Sequence, residues 1–268
     1  MEQAEKCGKD FRSEYIAYIN QRSAEYDRQS AEYDRQSAEY DRQSAEAKMQ
    51  VFTKSINDYN DFINKHKKFI DNNAVEDAYI IISRYKERIG ELQKRLENLR
   101  VAMQNSQGLS APEAESLKEN AGQLLSDIDE QRAAMFKQRL VVVERNCAAI
   151  EKKITETQQK IASAGTVNDM ILQEINKAKE EIVKAKQYID KANANVSENS
   201  LKSAEYSLIS AEADRRSAEA RQQSINAINS TFEAVIDFYT SYQKSPDLKR
   251  LESFKPKVEW LISRCKDL

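Results

Sequence analysis

Turn-forming residues are scarce, with 5 Gly and 3 Pro in 268 residues. A β-sandwich, a barrel or an α/β fold of this length needs many tight turns, and eight such residues supply few of them. Histidine is scarcer still: His66 stands alone, and the three cysteines lie far apart at 7, 147 and 265. That set lacks the spacing of a zinc site or of His-based catalysis. No glycine-rich phosphate loop occurs, and no cofactor is expected. Excess charge of one sign is also missing, since 42 Lys+Arg oppose 44 Asp+Glu for a net charge of -2. A nucleic-acid binder that works by neutralising phosphates is therefore not expected. The longest apolar clusters, Ala78 to Ile82 and Leu140 to Val143, fall far short of the roughly 20 residues that a membrane helix requires. The amino terminus lacks the basic-then-apolar order of a secretory signal, unless one has been removed. Three dispersed cysteines favour a reducing, cytoplasmic setting.

What the chain has is helix. Four places can end one: Asn72-Asn73, the run Gln107 to Pro112, Gly165-Thr166, and Ser245-Pro246-Asp247. Ser110 with Glu113 three residues on is a capping box, with Pro112 near the first turn. Gly165 followed by Thr166 and Asp169 combines a C-terminal glycine with a new cap. The expected fold is all-α, an elongated antiparallel bundle running up-down-up-down through four long helices, about 10–71, 74–106, 111–164 and 166–243. A short helical cap over 246–267, bent at Pro256, follows.

Apolar spacing supports that reading. Ile82, Tyr85, Ile89, Leu92, Leu96, Leu99 and Met103 alternate by threes and fours. Leu117, Ala121, Leu124 and Ile128 do the same, and Leu140, Val143, Cys147, Ile150, Ile154 and Ile161 resume after a register shift. The fourth stretch holds one register throughout, from Ile175, Ile182, Ile189 and Val196 to Ser203, Ser210, Ser217 and Ser224. Its companions are Ala178, Ala185, Ala192, Tyr206, Ala213, Ala220 and Ala227. One helix of about 115 Å is expected there.

Residues 23–43 are three identical copies of Ser-Ala-Glu-Tyr-Asp-Arg-Gln. The period of seven is a heptad. Extending the frame of Ile16 and Ile19 puts Ser30 and Ser37 at one seam position and Tyr26, Tyr33 and Tyr40 at the other. Ser-Ala-Glu recurs at 203, 210 and 217 in the same phase. With four helices of these lengths, Tyr26, Tyr33 and Tyr40 face about residues 230, 223 and 216 of the fourth. The two strips then form a two-helix antiparallel coiled-coil stalk, with arms about 12–46 and 200–243, projecting from a thicker bundle over about 47–199. Its seam holds Tyr26, Tyr33, Tyr40, Ser30, Ser37, Tyr206, Ala213, Ser217, Ala220 and Ser224. An outward recognition ladder of the three repeat tyrosines is the competing reading. Identity at outer positions points to recent tandem duplication or deliberate insertion of heptads. The tail is expected to cap the stalk through Phe254, Val258, Trp260, Leu261, Tyr15 and Ile16, with Phe11 and Tyr18 at the same level.

Residues able to carry chemistry read as structural. His66 sits among lysines as a solvated helix residue, and Cys147 lies between Val143 and Ile150 as a core thiol. Cys7 and Cys265 come from opposite termini and read as two free thiols. Asp127 with Asp129 and Glu180 with Glu181 read as solvated faces. The function expected is a non-enzymatic structural or interaction protein, a coiled-coil spacer or scaffold presenting binding surfaces to a protein partner, as monomer or homodimer. The alternative is a soluble component of a helical pore-forming toxin or a secreted effector, separable by liposome leakage.

Overall fold

A computed structural model describes residues 2–106, 108–164, 168–244 and 247–266, and side chains outside 2–10, 248 and 266. Among the described residues there are six α-helices, one 3-10 turn and no strand. They are α1 (Glu2–His66), α2 (Asn72–Gln104), α3 (Ala111–Ser163), α4 (Asp169–Asn195), α5 (Glu198–Lys244) and α6 (Leu248–Lys266). The all-α bundle is therefore found. The expected fourth helix is instead two.

Caps explain most boundaries. The Glu113 carboxylate accepts from the Ser110 backbone N–H at 2.9 Å and from its hydroxyl at 2.7 Å, the expected box starting α3. Asp71 caps α2, its carboxylate accepting from Asn73 N–H. Asn168 caps α4 by accepting from Met170 N–H at 2.8 Å. Asp247 does the same for α6 through Lys249. The Gln107, Gly165, Thr166, Ser245 and Pro246 signals lie outside the described residues. Pro256 sits inside a continuous α6 and does not end it.

The break between α4 and α5 is the main departure. Val196 takes φ 49 and ψ 45, and its N–H and that of Ser197 both reach the Ala192 carbonyl. That 6→1 bond is a Schellman closure, usually built on glycine. Ser197 then caps α5 through Ser200 N–H. A β-branched residue in this conformation costs roughly 1–2 kcal/mol. Val196→Gly is expected to raise the stability of this hairpin by about 1 kcal/mol, read as a higher urea midpoint. An unchanged or lower midpoint would contradict the strain.

Packing divides the chain into two compact units. The first contains the chain up to Lys67 and Val75 to Val142, so it holds α1, most of α2 and the first part of α3. Its core is Met49, Phe52, Ile56, Tyr59 and Ile63 of α1 with Ile82, Tyr85, Ile89, Leu92, Leu117, Leu124 and Ile128. Phe52 meets Tyr85 edge-on at 6.1 Å. Arg95 pairs with Asp127 and Arg84 with Gln138, so α2 and α3 run antiparallel. Lys118 bonds Asp34 and Lys48 bonds Asp129, so α3 runs parallel to α1.

The second unit contains residues 68–74 and 143–268. Val143, Cys147, Ile150, Ile154 and Ile161 of α3 are buried there, with Ile171, Ile175, Ala178, Ile182, Ala185, Ile189 and Ala192 of α4. The α4 seam is the expected one. Beyond the turn the α5 seam moves to Leu201, Ala204, Leu208, Ala211, Arg215, Ala218 and Gln222. Phe254 of α6 stacks on Phe238 of α5 at 4.1 Å. The repeat at 23–43 belongs to the first unit and the Ser-Ala-Glu strip at 203–224 to the second.

Candidate functional site

The repeat folds as part of α1, and its geometry follows from its spacing. Seven residues on a helix of 3.6 per turn bring each copy back to nearly the same face, about 10.5 Å further along. The face turned into the first unit is the alanine face: Ala31, Ala38 and Ala45 are buried, continuing the stripe of Met49, Phe52 and Ile56. Small side chains there let the neighbouring helix approach closely, and a Cβ at Gly122 of α3 would lie 3.8 Å from Asp41 Oδ2. Asp34, one repeat earlier, takes the Lys118 ammonium at 2.8 Å.

The tyrosines stand on the other side. Tyr26, Tyr33 and Tyr40 are 70%, 69% and 74% exposed, so the expected Tyr–Ser seam is not what packs. Tyr follows Ala by two positions in every copy, and two helical steps are about 200°, nearly opposite faces. The outward reading of the ladder is the one the geometry favours. Ser30 is exposed and Ser37 half-buried.

Ion pairs within the repeat link its charged residues along the helix. Arg35 donates to Glu32 at 2.8 and 3.0 Å, and Gln36 adds a third bond to the same carboxylate. Arg42 bridges Glu39 and Glu46. Hydrogen bonds from Arg35 and Gln36 hold the Glu32 carboxyl below its ordinary range, and the Arg42 bond does the same for Glu39. Two open grooves flank the ladder. One, of about 610 Å³, runs from Arg28 and Tyr33 to Ser106, Gly108 and Leu109. The other, of about 400 Å³, places Arg35, Arg42 and Arg100 beside Glu39 and Met103.

The fourth-helix partners of the expected seam lie in the second unit. Tyr206 is exposed and Ala213 half-buried. Ser217, Ala220 and Ser224 are brought together with Trp260 along a groove of about 660 Å³ that also holds Arg221 and Arg264. Ser217 and Arg221 both donate to Glu174 at 2.8 Å. Of the expected cap cluster, Leu261 is buried, and Phe254 and Val258 are half-buried in the α5–α6 hairpin. Tyr15 and Ile16 remain 58% and 50% exposed, as do Phe11 and Tyr18 nearby, so no cluster forms around them. The tail packs on α5 instead, through Phe254 against Phe238.

One constellation was not anticipated. Residues 210–216, Ser-Ala-Glu-Ala-Asp-Arg-Arg, repeat the grammar of 37–43 almost letter for letter. Arg215 bridges Glu212 and Glu219 as Arg42 bridges Glu39 and Glu46, at the same i−3 and i+4 spacing. In α5 the Arg215–Glu212 pair is buried, and Arg215 also donates to Thr157 of α3 at 3.1 Å. Burial pushes the Glu212 carboxyl up, but bonds from Arg215 and Arg216 outweigh it and leave it below its ordinary range. The signal that would have found it is the shared Asp-Arg that follows Ser-Ala-Glu in both places.

The remaining candidates are accounted for locally. His66 ends α1 with its ring 5.0 Å from Phe62. Burial raises the Cys147 thiol above its usual range. Cys265 is exposed, and the Cys7 side chain lies outside the described ones. Asp127 and Asp129 pair with Arg95 and Lys48, and Glu181 with Lys184. No cluster of three or more metal-ligating side chains occurs among the described residues. No helix among them is long and apolar enough to cross a membrane. No family model, curated protein or solved structure matches this chain.

Proposed function

We propose that the chain is a non-enzymatic interaction scaffold whose heptad repeats, a coiled-coil element in sequence, present Tyr26, Tyr33 and Tyr40 to a protein partner. The observation that carries this is the outward tyrosine ladder: three identical aromatic side chains, each well over half exposed, repeated at one helical position. Tyrosine supplies a large amphipathic contact area at low entropic cost. The outward Gln29, Gln36 and Ser30 add adaptable hydrogen bonding beside it. Identical docking points at about 10.5 Å spacing let a multivalent partner bind with avidity set by repeat number. The ion pairs of Glu32 and Glu39 fit the same reading, since they engage the charges that flank the tyrosines within α1 itself.

The test compares the full chain with its Tyr26→Ser/Tyr33→Ser/Tyr40→Ser form as immobilised baits, with bound proteins quantified by mass spectrometry. At least one direct partner is expected to lose about tenfold or more in retention, while far-UV circular dichroism stays unchanged. A chain lacking 30–36 should show an intermediate loss, because one docking point is gone. Identical retention by all three forms would overturn the proposal.

A further inference from the structure

Two parts of this chain end with a bundle left incomplete. In α1, every described side chain from 11 to 30 is exposed. Phe11, Tyr15, Tyr18 and Ile19 form one stripe there, with Ile16 at its edge, and all five are large and apolar. Five such side chains within nine residues exceed the scattered apolar exposure of an ordinary surface.

The second part is the α5–α6 hairpin. Phe238 stacks on Phe254 and Arg250 donates to Ser241, so these helices run antiparallel. Phe232, Ile236 and Tyr239 form an exposed stripe on α5, spaced by four and three. Leu251 and Ile262, with half-buried Val258 between them, form another on α6. At about 100° per residue, each stripe lies a quarter to a third of a turn from the shared interface, in the same rotational sense. In antiparallel helices equal senses open on one side. The six side chains therefore border a single groove between the two helices.

We infer that α1 residues 11–26 of one copy of this chain dock in the α5–α6 groove of a second copy. Elsewhere each unit buries its apolar stripes by three-helix packing. One bare helix and one grooved pair complete the same arrangement. The chain thus carries both halves of the contact, and both are exposed in the single chain. Charge permits the contact: α6 carries Lys249, Arg250, Lys255, Lys257, Arg264 and Lys266 against Glu252 and Glu259, and α1 residues 11–26 balance Arg12 and Arg22 with Glu14 and Glu25. Glu14 and Glu25, three helical turns apart, edge the α1 stripe, and Lys255 stands in the middle of the α6 stripe where one of them can pair with it. About ten apolar side chains, each giving up on the order of 100 Å², approach the roughly 1,000 Å² that a specific interface requires. The contact is heterologous, so it propagates head to tail or closes into a ring.

Sedimentation velocity on the full chain tests this with two variants, both altered only at exposed positions. Tyr15→Glu/Ile19→Glu breaks the helix half, and Phe232→Glu/Ile236→Glu breaks the groove half. The unaltered chain should associate as concentration rises, and each variant alone should associate at least about tenfold more weakly. Mixed together, they should recover a 1:1 complex, since each still offers the half the other lacks. A chain that stays monomeric, a variant that associates normally, or a mixture that fails to pair would each overturn the inference. A photocrosslinker at position 19, with one copy isotopically labelled, guards against a misfolded variant. It must join α5 or α6 of the other copy, and crosslinks placed elsewhere overturn the proposal. The Tyr33→Ser/Tyr40→Ser chain, altered only outside residues 11–26, should self-associate normally, which separates this contact from the partner surface proposed above.

Discussion

Arg215→Ala is expected to destabilise the second unit by about 3–5 kcal/mol, the loss typical of removing one partner from a buried ion pair. The Glu212 side chain is only 2% exposed and accepts from Arg215 Nε at 2.8 Å and Nη2 at 3.0 Å. Without Arg215 that carboxylate keeps only the Arg216 bond at 2.7 Å. The Thr157 hydroxyl of α3 loses its donor in the same change. Arg215→Lys should recover only part of the loss, because an ammonium cannot donate in parallel to both carboxylate oxygens. The double change Glu212→Gln/Arg215→Met should cost less than Arg215→Ala alone, since no buried charge is left unmatched.

Acid unfolding supplies a second readout of the same network. Glu212 titrates below its ordinary value of 4.5 in the folded chain. A depressed carboxylate stabilises the fold above its unfolded pKa, and that contribution fades as pH falls through the lower folded value. The unaltered chain should therefore lose this contribution only below about pH 4.5. In Arg215→Ala burial dominates, so Glu212 takes up its proton at higher pH and the acid transition moves upward. Thermal melts from neutral to acid pH, with hydrogen exchange on α5 amides, would show both effects. A shift under about 1 kcal/mol with an unmoved acid transition would mean the network adds little.

Much of the fold was legible in the residues, and the parts that were not have specific causes. The helices around Ile82 to Met103 and Ile175 to Ala192 were found because their stripes are strongly apolar and unbroken. The turn at Val196 was missed because its position belongs by residue type to the seam. Asn195 and Ser197 beside it are weak signals next to a glycine or proline. The repeat was given the wrong face for a different reason: α1 carries two stripes. One frame runs from Ile16 and Ile19 through Tyr26, Tyr33 and Tyr40. The other runs from Ile63, Tyr59, Ile56, Phe52 and Met49 down to Ala45, Ala38 and Ala31. The two frames differ by two residues, so they lie on nearly opposite faces. Aromatic bulk favoured the first frame in sequence, whereas the stripe that continues into a deep core is the one that packs. In α5 the same preference for Tyr206 over Ala204 and Ala211 misplaced the seam.

One residue type introduced on either face of α1 gives the second large effect. Ala38 is fully buried, and Asp34 and Asp41 lie four residues before it and three after it. Ala38→Glu forces a carboxylate into a slot sized for a methyl group, beside two existing acids. Lys118 is already bonded to Asp34, and Arg42 is shared between Glu39 and Glu46. Stability of the first unit should fall by about 3 kcal/mol or more, the scale of an unpaired buried charge or polar group. Tyr33→Glu adds the same charge five residues away on the same helix, where the ring stands in solvent with the Lys118 ammonium 5.6 Å from its centre. Its cost should stay within about 0.5 kcal/mol, as for ordinary surface changes. Urea unfolding followed by far-UV circular dichroism measures both in one experiment. A larger loss for Tyr33→Glu than for Ala38→Glu would return the tyrosines to the packed face and remove the basis for an outward ladder.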